Sequence, residues 1–404
     1  MSRIVAVAPV LPPHSAAQGE ITAELVRALG LDAPELRRER AVFERMHAGT
    51  RIHRRSTVLP LARYADLDFD EANRVWRDAG ADLGEGAVRA ALAQAGLAPG
   101  DVDHFFFTSV TGAAAPSIDA LLAGRLGFRR ELKRIPSFGL GCVAGAAGLA
   151  RVHDYLAGHP DGVAVVLAVE LCSLTLQRDD RSVANAVATG LFGDGAAAVV
   201  VVGDAHPLAV AGARASGGVA DAGAGAGGGA DAGAGAFAGG GMEIVDTLSS
   251  LYPDSEGVLG FDLGGTGFRI VLTAEVAGAI DANFAADVDA LLTRNALTRA
   301  DVGSWVAHAG GPRVLEAFAA ALELPDGALD TAWQSLAESG NLSSASVLHV
   351  LARTPSQPPG TWGLLFALGP GVTSEIVLLR WGGGVTAGAV GEVGAVGVDA
   401  GGAA

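Results

Sequence analysis

Cysteine and lysine are nearly missing from this chain of 404 residues, which carries two cysteines, Cys142 and Cys172, and a single lysine, Lys133. Two cysteines make no disulfide framework, and a chain this long can bury a core without one. Both thiols are therefore expected to be reduced, in a cytoplasmic protein. Positive charge is scarce as a whole: 28 Lys and Arg face 44 Asp and Glu, a formal net charge of −16. Phosphate binding requires a concentrated positive field, so the balance argues against a nucleic-acid partner. The clearest local exception is RIHRRS, with Arg51, Arg54 and Arg55, whose plainest reading is a solvated face. No window supplies the roughly 20 apolar residues of a membrane span. The N-terminus MSRIVAVAPVLPPHS has one short apolar run before prolines and no signal-peptide cleavage pattern.

Half of the residues are hydrophobic, and they arrange as alternating elements. Buried-strand runs occur at 4–10, 104–110, 162–171, 196–203, 304–310 and 362–381, where β-branched and aromatic residues follow one another as in a sheet covered on both faces. Helical spacing lies between them, at 83–96, 143–157 and 312–323. Strand and helix in alternation predict α/β layering. LAPGDVDHFFFTSVTG in the first part and LTRADVGSWVAHAGG at 297–311 repeat one order of helix end, Asp-Val and strand. Duplicated halves follow, 1–210 and 242–381. Between them, 211–241 is almost wholly Gly, Ala and Asp, and with the tail 382–404 it is expected to be flexible or disordered.

Cys142 stands in FGLGCVAGAAGLARVHDYL, where a small-residue run becomes helical. At a helix N-terminus the macrodipole stabilises thiolate, and small neighbours leave backbone N–H groups free for an oxyanion. Close helix packing explains the same residues equally simply. A nucleophilic thiol needs a proton partner. His153 is excluded, since eleven residues of helix span about 16 Å. His14, His47, His53, His159 and His206 fall in polar or loop-like contexts, His104 begins a strand, and His349 lies in an apolar helix. His308 ends a buried run before a glycine turn and a Pro-started helix. Asn341, in ESGNLSSASVL, reads as a helix N-cap or as a turn aimed at a cleft.

Taken together, GLGCVAG, GLFGDGAAAVVV, HAGGPRVLEAF, SGNLSSASVL and ALGPGVTSE resemble the type III polyketide synthases, the chalcone and stilbene synthase superfamily, from about Phe43 to Trp381. The resemblance implies a thiolase fold of two duplicated halves in five αβαβα layers, and a homodimer. It implies Cys142 as the nucleophile carrying the acyl chain and His308 as its ion-pair partner. His308 and Asn341 would bind the malonyl carbonyl and the enolate formed on decarboxylation; an amide takes no proton, which suits carbanion generation by loss of carbon dioxide. Phe192 and Phe268 match gate positions. Ala115, Cys172, Thr175, Phe261 and Ser343 match cavity positions. Arg51, Arg54 and Arg55, with Gly310 and Gly311, match the side that holds CoA. No metal or separate cofactor is implied, since the CoA thioesters are substrates.

Ala115 in place of a large residue favours a fatty acyl starter, extended by malonyl-CoA or methylmalonyl-CoA and cyclised to an alkylresorcinol or alkylpyrone. The alternatives are a naphthalene-type synthase starting from malonyl-CoA and a single-condensation ketoacyl-ACP synthase. The naphthalene type commonly has extra cavity cysteines, of which only Cys172 is available. A different class is an inactive thiolase-fold scaffold.

Overall fold

The computed structural model describes residues 1–210 and 241–382. The chain opens with β1 (Ser2–Val10), then an excursion through β2 (His14–Ala17), α1 (Gln18–Ala28), α2 (Arg37–Ala48) and β3 (Arg54–Thr57). The first half continues with α3 (Phe69–Ala95), β4 (His104–Thr108), α4 (Ile118–Leu126), β5 (Lys133–Ser137), α5 (Ala144–Ala157), β6 (Val163–Leu171), α6 (Val183–Leu191) and β7 (Asp194–Gly203). The second half holds β8 (Met242–Leu251), the hairpin β9 (Leu259–Gly264) and β10 (Gly267–Leu272), and α7 (Val276–Arg294). It ends with β11 (Val302–Ala307), α8 (Pro312–Ala321), α9 (Asp330–Ser339), α10 (Ser346–Arg353), β12 (Trp362–Gly369) and β13 (Thr373–Trp381).

Nine strands share one sheet in the order β11-β12-β13-β8-β1-β7-β6-β4-β5. The duplication is visible in it. Strands β4, β6, β7 and β1 pair parallel, antiparallel, antiparallel, and β11, β12, β13 and β8 repeat that sequence of pairings. Within the sheet the two halves join where Ser2, Arg3 and Ile4 face Ile244, Glu243 and Met242. Helix α3 covers one outer face, α7 and α8 the other, and α5 and α10 lie between the halves. That is the five-layered duplicated α/β arrangement expected.

The continuous apolar runs are buried for the expected reason. Every residue of β6 and β7 is buried, because each strand has helices on both faces. Helix α3 begins well before residue 83: Asp68 caps it, accepting from the Glu71 N–H at 2.7 Å, and Gly96 ends it at φ +67°. Its polar first turn hides the spacing of Ala72 and Trp76, both buried. Two glycines let α5 thread the middle layer. A Cβ on Gly145 would lie 2.2 Å from the Ser344 carbonyl oxygen, and one on Gly148 would lie 2.8 Å from Val166. Apart from Gly241 and Gly382, the Gly/Ala-rich stretch 211–241 and the tail 382–404 lie outside the described residues. No helix among the described residues is long and apolar enough to cross a membrane.

Candidate active site

The duplication sets where the chemistry-bearing residues meet. Cys142 occupies a single 3-10 turn, Gly141–Val143, leading into α5. Ser343 opens the matching turn, Ser343–Ala345, leading into α10. Because α5 and α10 are equivalent helices packed in the middle layer, the two turns face each other. Cys142 Sγ donates to Ser343 Oγ at 3.7 Å.

From Ser343 the connections run on through the second half. The Ser343 N–H donates to Asn341 Oδ1 at 2.8 Å, and Asn341 Nδ2 donates to the Gly310 carbonyl at 3.0 Å. Gly310 N–H in turn donates to the His308 carbonyl at 2.8 Å, and the His308 N–H is held by Phe366 of β12 at 2.9 Å. Asn341 thus serves as neither a plain N-cap nor a loose loop residue: its side chain ties the head of α10 to the turn after β11. The fold gathers Cys142, Ser343, Asn341 and the His308 turn into one linked group. His308 is 2% exposed, and its Nδ1 has no hydrogen-bond partner.

Burial governs the charges here. Desolvation pushes the Cys142 thiol up to about 12, with hydrogen bonds from Ser343 and Asn341 pulling it down and the charge of Glu170 pushing it further up. Desolvation also pushes His308 down to about 4. Burial thus disfavours the charged form of each group.

Beside them lies Glu170, which the sequence reading passed over. It is wholly buried at the end of β6 and raised by desolvation to about 7. It accepts from Ser344 Oγ, and from the Val110 N–H at 3.1 Å. Glu170 sits inside an otherwise unbroken apolar strand, VAVVLAVEL, and a carboxylate in such a run is the available signal.

Two chambers adjoin this group. The smaller one, of about 70 Å³, is lined by Cys172, Thr175, Phe192, Phe261, Phe268, Ile270 and Ser343, together with Ile21, Leu25 and Ala28 of α1. Cys142, His308 and Asn341 do not line it, but Ser343, which Cys142 reaches at 3.7 Å, does. A larger chamber of about 210 Å³ shares Thr111, Thr175, Gln177 and Phe268 with the first. The α1 contribution falls before the stretch that carried the resemblance, although the spacing of Ile21, Leu25 and Ala28 is helical and apolar.

Ala115 is exposed in the single chain, while Thr111 of the same segment lines both chambers. Two expectations need correction. Arg55 is no solvated phosphate holder, being 5% exposed and engaged by Gln18 and the Phe192 carbonyl. His47 is not in a loop: it is 1% exposed on α2, hydrogen-bonded to Thr22 at 2.9 Å. Arg51 and Arg54 are exposed as expected, and Arg51 pairs with Glu316 at 2.9 Å. Gly311 caps α8 at φ +140°, while Gly310 spends its carbonyl on Asn341.

A duplicated α/β chain whose two central helix heads meet at a buried thiol has the thiolase architecture. Comparison with known proteins narrows the class. The family model of the chalcone and stilbene synthases matches in both parts, the N-terminal domain over residues 1–205 and the C-terminal domain over residues 243–382. A 1,3,6,8-tetrahydroxynaphthalene synthase of Streptomyces peucetius subsp. caesius is 48% identical, over 94% of this chain and 93% of that protein. A putative chalcone synthase of Bacillus subtilis is 32% identical over 82% of this chain and 86% of its own. The crystal structure of the tetrahydroxynaphthalene synthase from Streptomyces coelicolor, a bacterial type III polyketide synthase, superposes with a TM-score of 0.78 at 28% identity, covering 94% of this chain and 99% of that one. The chain belongs to the chalcone and stilbene synthase family and is a type III polyketide synthase.

Proposed function

We propose that this enzyme builds a polyhydroxynaphthalene from malonyl-CoA, which serves as starter and extender alike. The observation that carries the reading is the 48% identity, over 94% of the chain, to a 1,3,6,8-tetrahydroxynaphthalene synthase.

In this reading Cys142 takes the starter acyl group by attack on its thioester, releasing CoA. The Sγ proton passes to His308, a neutral and buried base. A second malonyl thioester then binds with its carbonyl oxygen against His308 and Asn341. Asn341 Nδ2 carries two N–H bonds, of which Gly310 occupies one. The amide donates to the oxygen as the carbon–carbon bond to the carboxylate breaks and carbon dioxide leaves, holding the enolate. The enolate carbon attacks the acyl carbonyl on Cys142, and repetition followed by ring closure completes the product. The exposed edge strand β5, with Ile135 44% exposed and Phe138 just after it 60% exposed, suits burial against a second copy in a homodimer.

The test is incubation with malonyl-CoA alone and with octanoyl-CoA plus malonyl-CoA, read by mass spectrometry. A polyhydroxynaphthalene from malonyl-CoA alone, abolished by Cys142→Ala, is expected. Product formed only when octanoyl-CoA is supplied, as alkylresorcinol or alkylpyrone, overturns the reading.

A further inference from the structure

Arg55 is the buried cation nearest the gate, and none of the chemistry above uses it. Its Nε donates to Gln18 Oε1 at 3.0 Å and its Nη1 to the Phe192 carbonyl. Gln18 Nε2 reaches the Gly190 carbonyl at 2.8 Å. Between these two, the Leu191 carbonyl accepts from the Asn341 N–H at 2.9 Å, and the Gly193 N–H returns to the Asn341 carbonyl at 2.9 Å. Three successive carbonyls at the end of α6 are thus taken by Gln18, Asn341 and Arg55. A cation at a helix C-terminus is favoured by the macrodipole. The stem of Arg55 is also a spacer: a Cβ on Gly340, which has φ +73°, would lie 2.8 Å from Arg55 Cδ. Gly340 precedes Asn341, and glycine there lets the strand of backbone carrying Asn341 lie directly on the arginine.

We propose that Arg55, oriented by Gln18, is a positioning residue that holds the Phe192 gate and the Asn341 amide in one rigid register, so that the enolate-stabilising group and the entrance to the thiol are set together. The inference rests on the role given to Asn341 above. It also explains why an arginine stands here, since the fork reaches Gln18 and Phe192 in different directions and an ammonium group does not offer that geometry.

The experiment compares wild type, Arg55→Lys and Gln18→Met, the second in case the first fails to fold. Malonyl-CoA decarboxylation and the rate of Cys142 alkylation by iodoacetamide are measured on each. For Arg55→Lys the inference expects kcat for decarboxylation to fall at least tenfold, with KM for malonyl-CoA and the alkylation rate changed less than twofold. Gln18→Met should show the same split at three- to fivefold. Decarboxylation unchanged in both variants, or decarboxylation and alkylation falling in parallel, overturns it. An inactive wild type instead overturns the function proposed for Asn341.

Discussion

Replacing Glu170 by glutamine tests how the interior beside Cys142 treats charge. The carboxyl is raised by burial from 4.5 to about 7, and at about 1.4 kcal/mol for each tenfold change this corresponds to about 3 kcal/mol. The folded chain holds this proton more tightly than the unfolded one. Stability from the group is therefore fully present below pH 4.5 and lost as pH rises through 7. Glutamine copies the neutral acid, with an amide N–H to offer Ser344 Oγ and an oxygen to accept from the Val110 N–H. Urea denaturation at intervals from pH 4 to pH 8.5 should show the advantage of Glu170→Gln over wild type growing by about 3 kcal/mol across that window. Because the Glu170 charge also pushes the Cys142 thiol up, alkylation of Cys142 should shift to lower pH in the variant. A stability difference that stays flat between pH 4 and 8.5 would refute the burial argument.

Two further outcomes follow from the same packing. Gly145→Ala places a methyl 2.2 Å from the Ser344 carbonyl, so it should destabilise by about 2–3 kcal/mol and separate the two helix heads, seen as a lowered Tm and lost product formation. His349 is held by the Ala196 carbonyl at 2.9 Å and pushed by burial down to about 4; its stabilising contribution is intact above pH 6.5 and lost as pH falls towards 4. His349→Gln should therefore lose about 3 kcal/mol less than wild type on acidification across that range, and parallel denaturation curves at pH 7 and pH 4.5 would contradict this.

Strand positions were legible because β6 and β7 are apolar throughout, and the duplication because two Asp-Val strand entries survive as near copies. Cys142, His308 and Asn341 were legible through motifs spread over the chain, though their own neighbourhoods also fitted simple packing. Arg55 was misread because RIHRRS has the composition of a solvated face, while its pairing with Gln18 and with the end of α6 is a long-range fact that no local pattern carries. At Cys142 a helix N-terminus favours thiolate while burial opposes it, and no local pattern in the sequence carries that depth of burial.

The meeting of the two helix heads also orders events in time. The thiol belongs to the half that leaves the ribosome first, while Ser343, Asn341 and His308 belong to the half that leaves last. A nascent chain therefore carries Cys142 without the imidazole of His308 or the amide of Asn341 until nearly all of it has been made. On the function proposed above, carbon–carbon bond formation is reserved for the finished chain, and one truncated before β11 has the thiol but neither His308 nor Asn341.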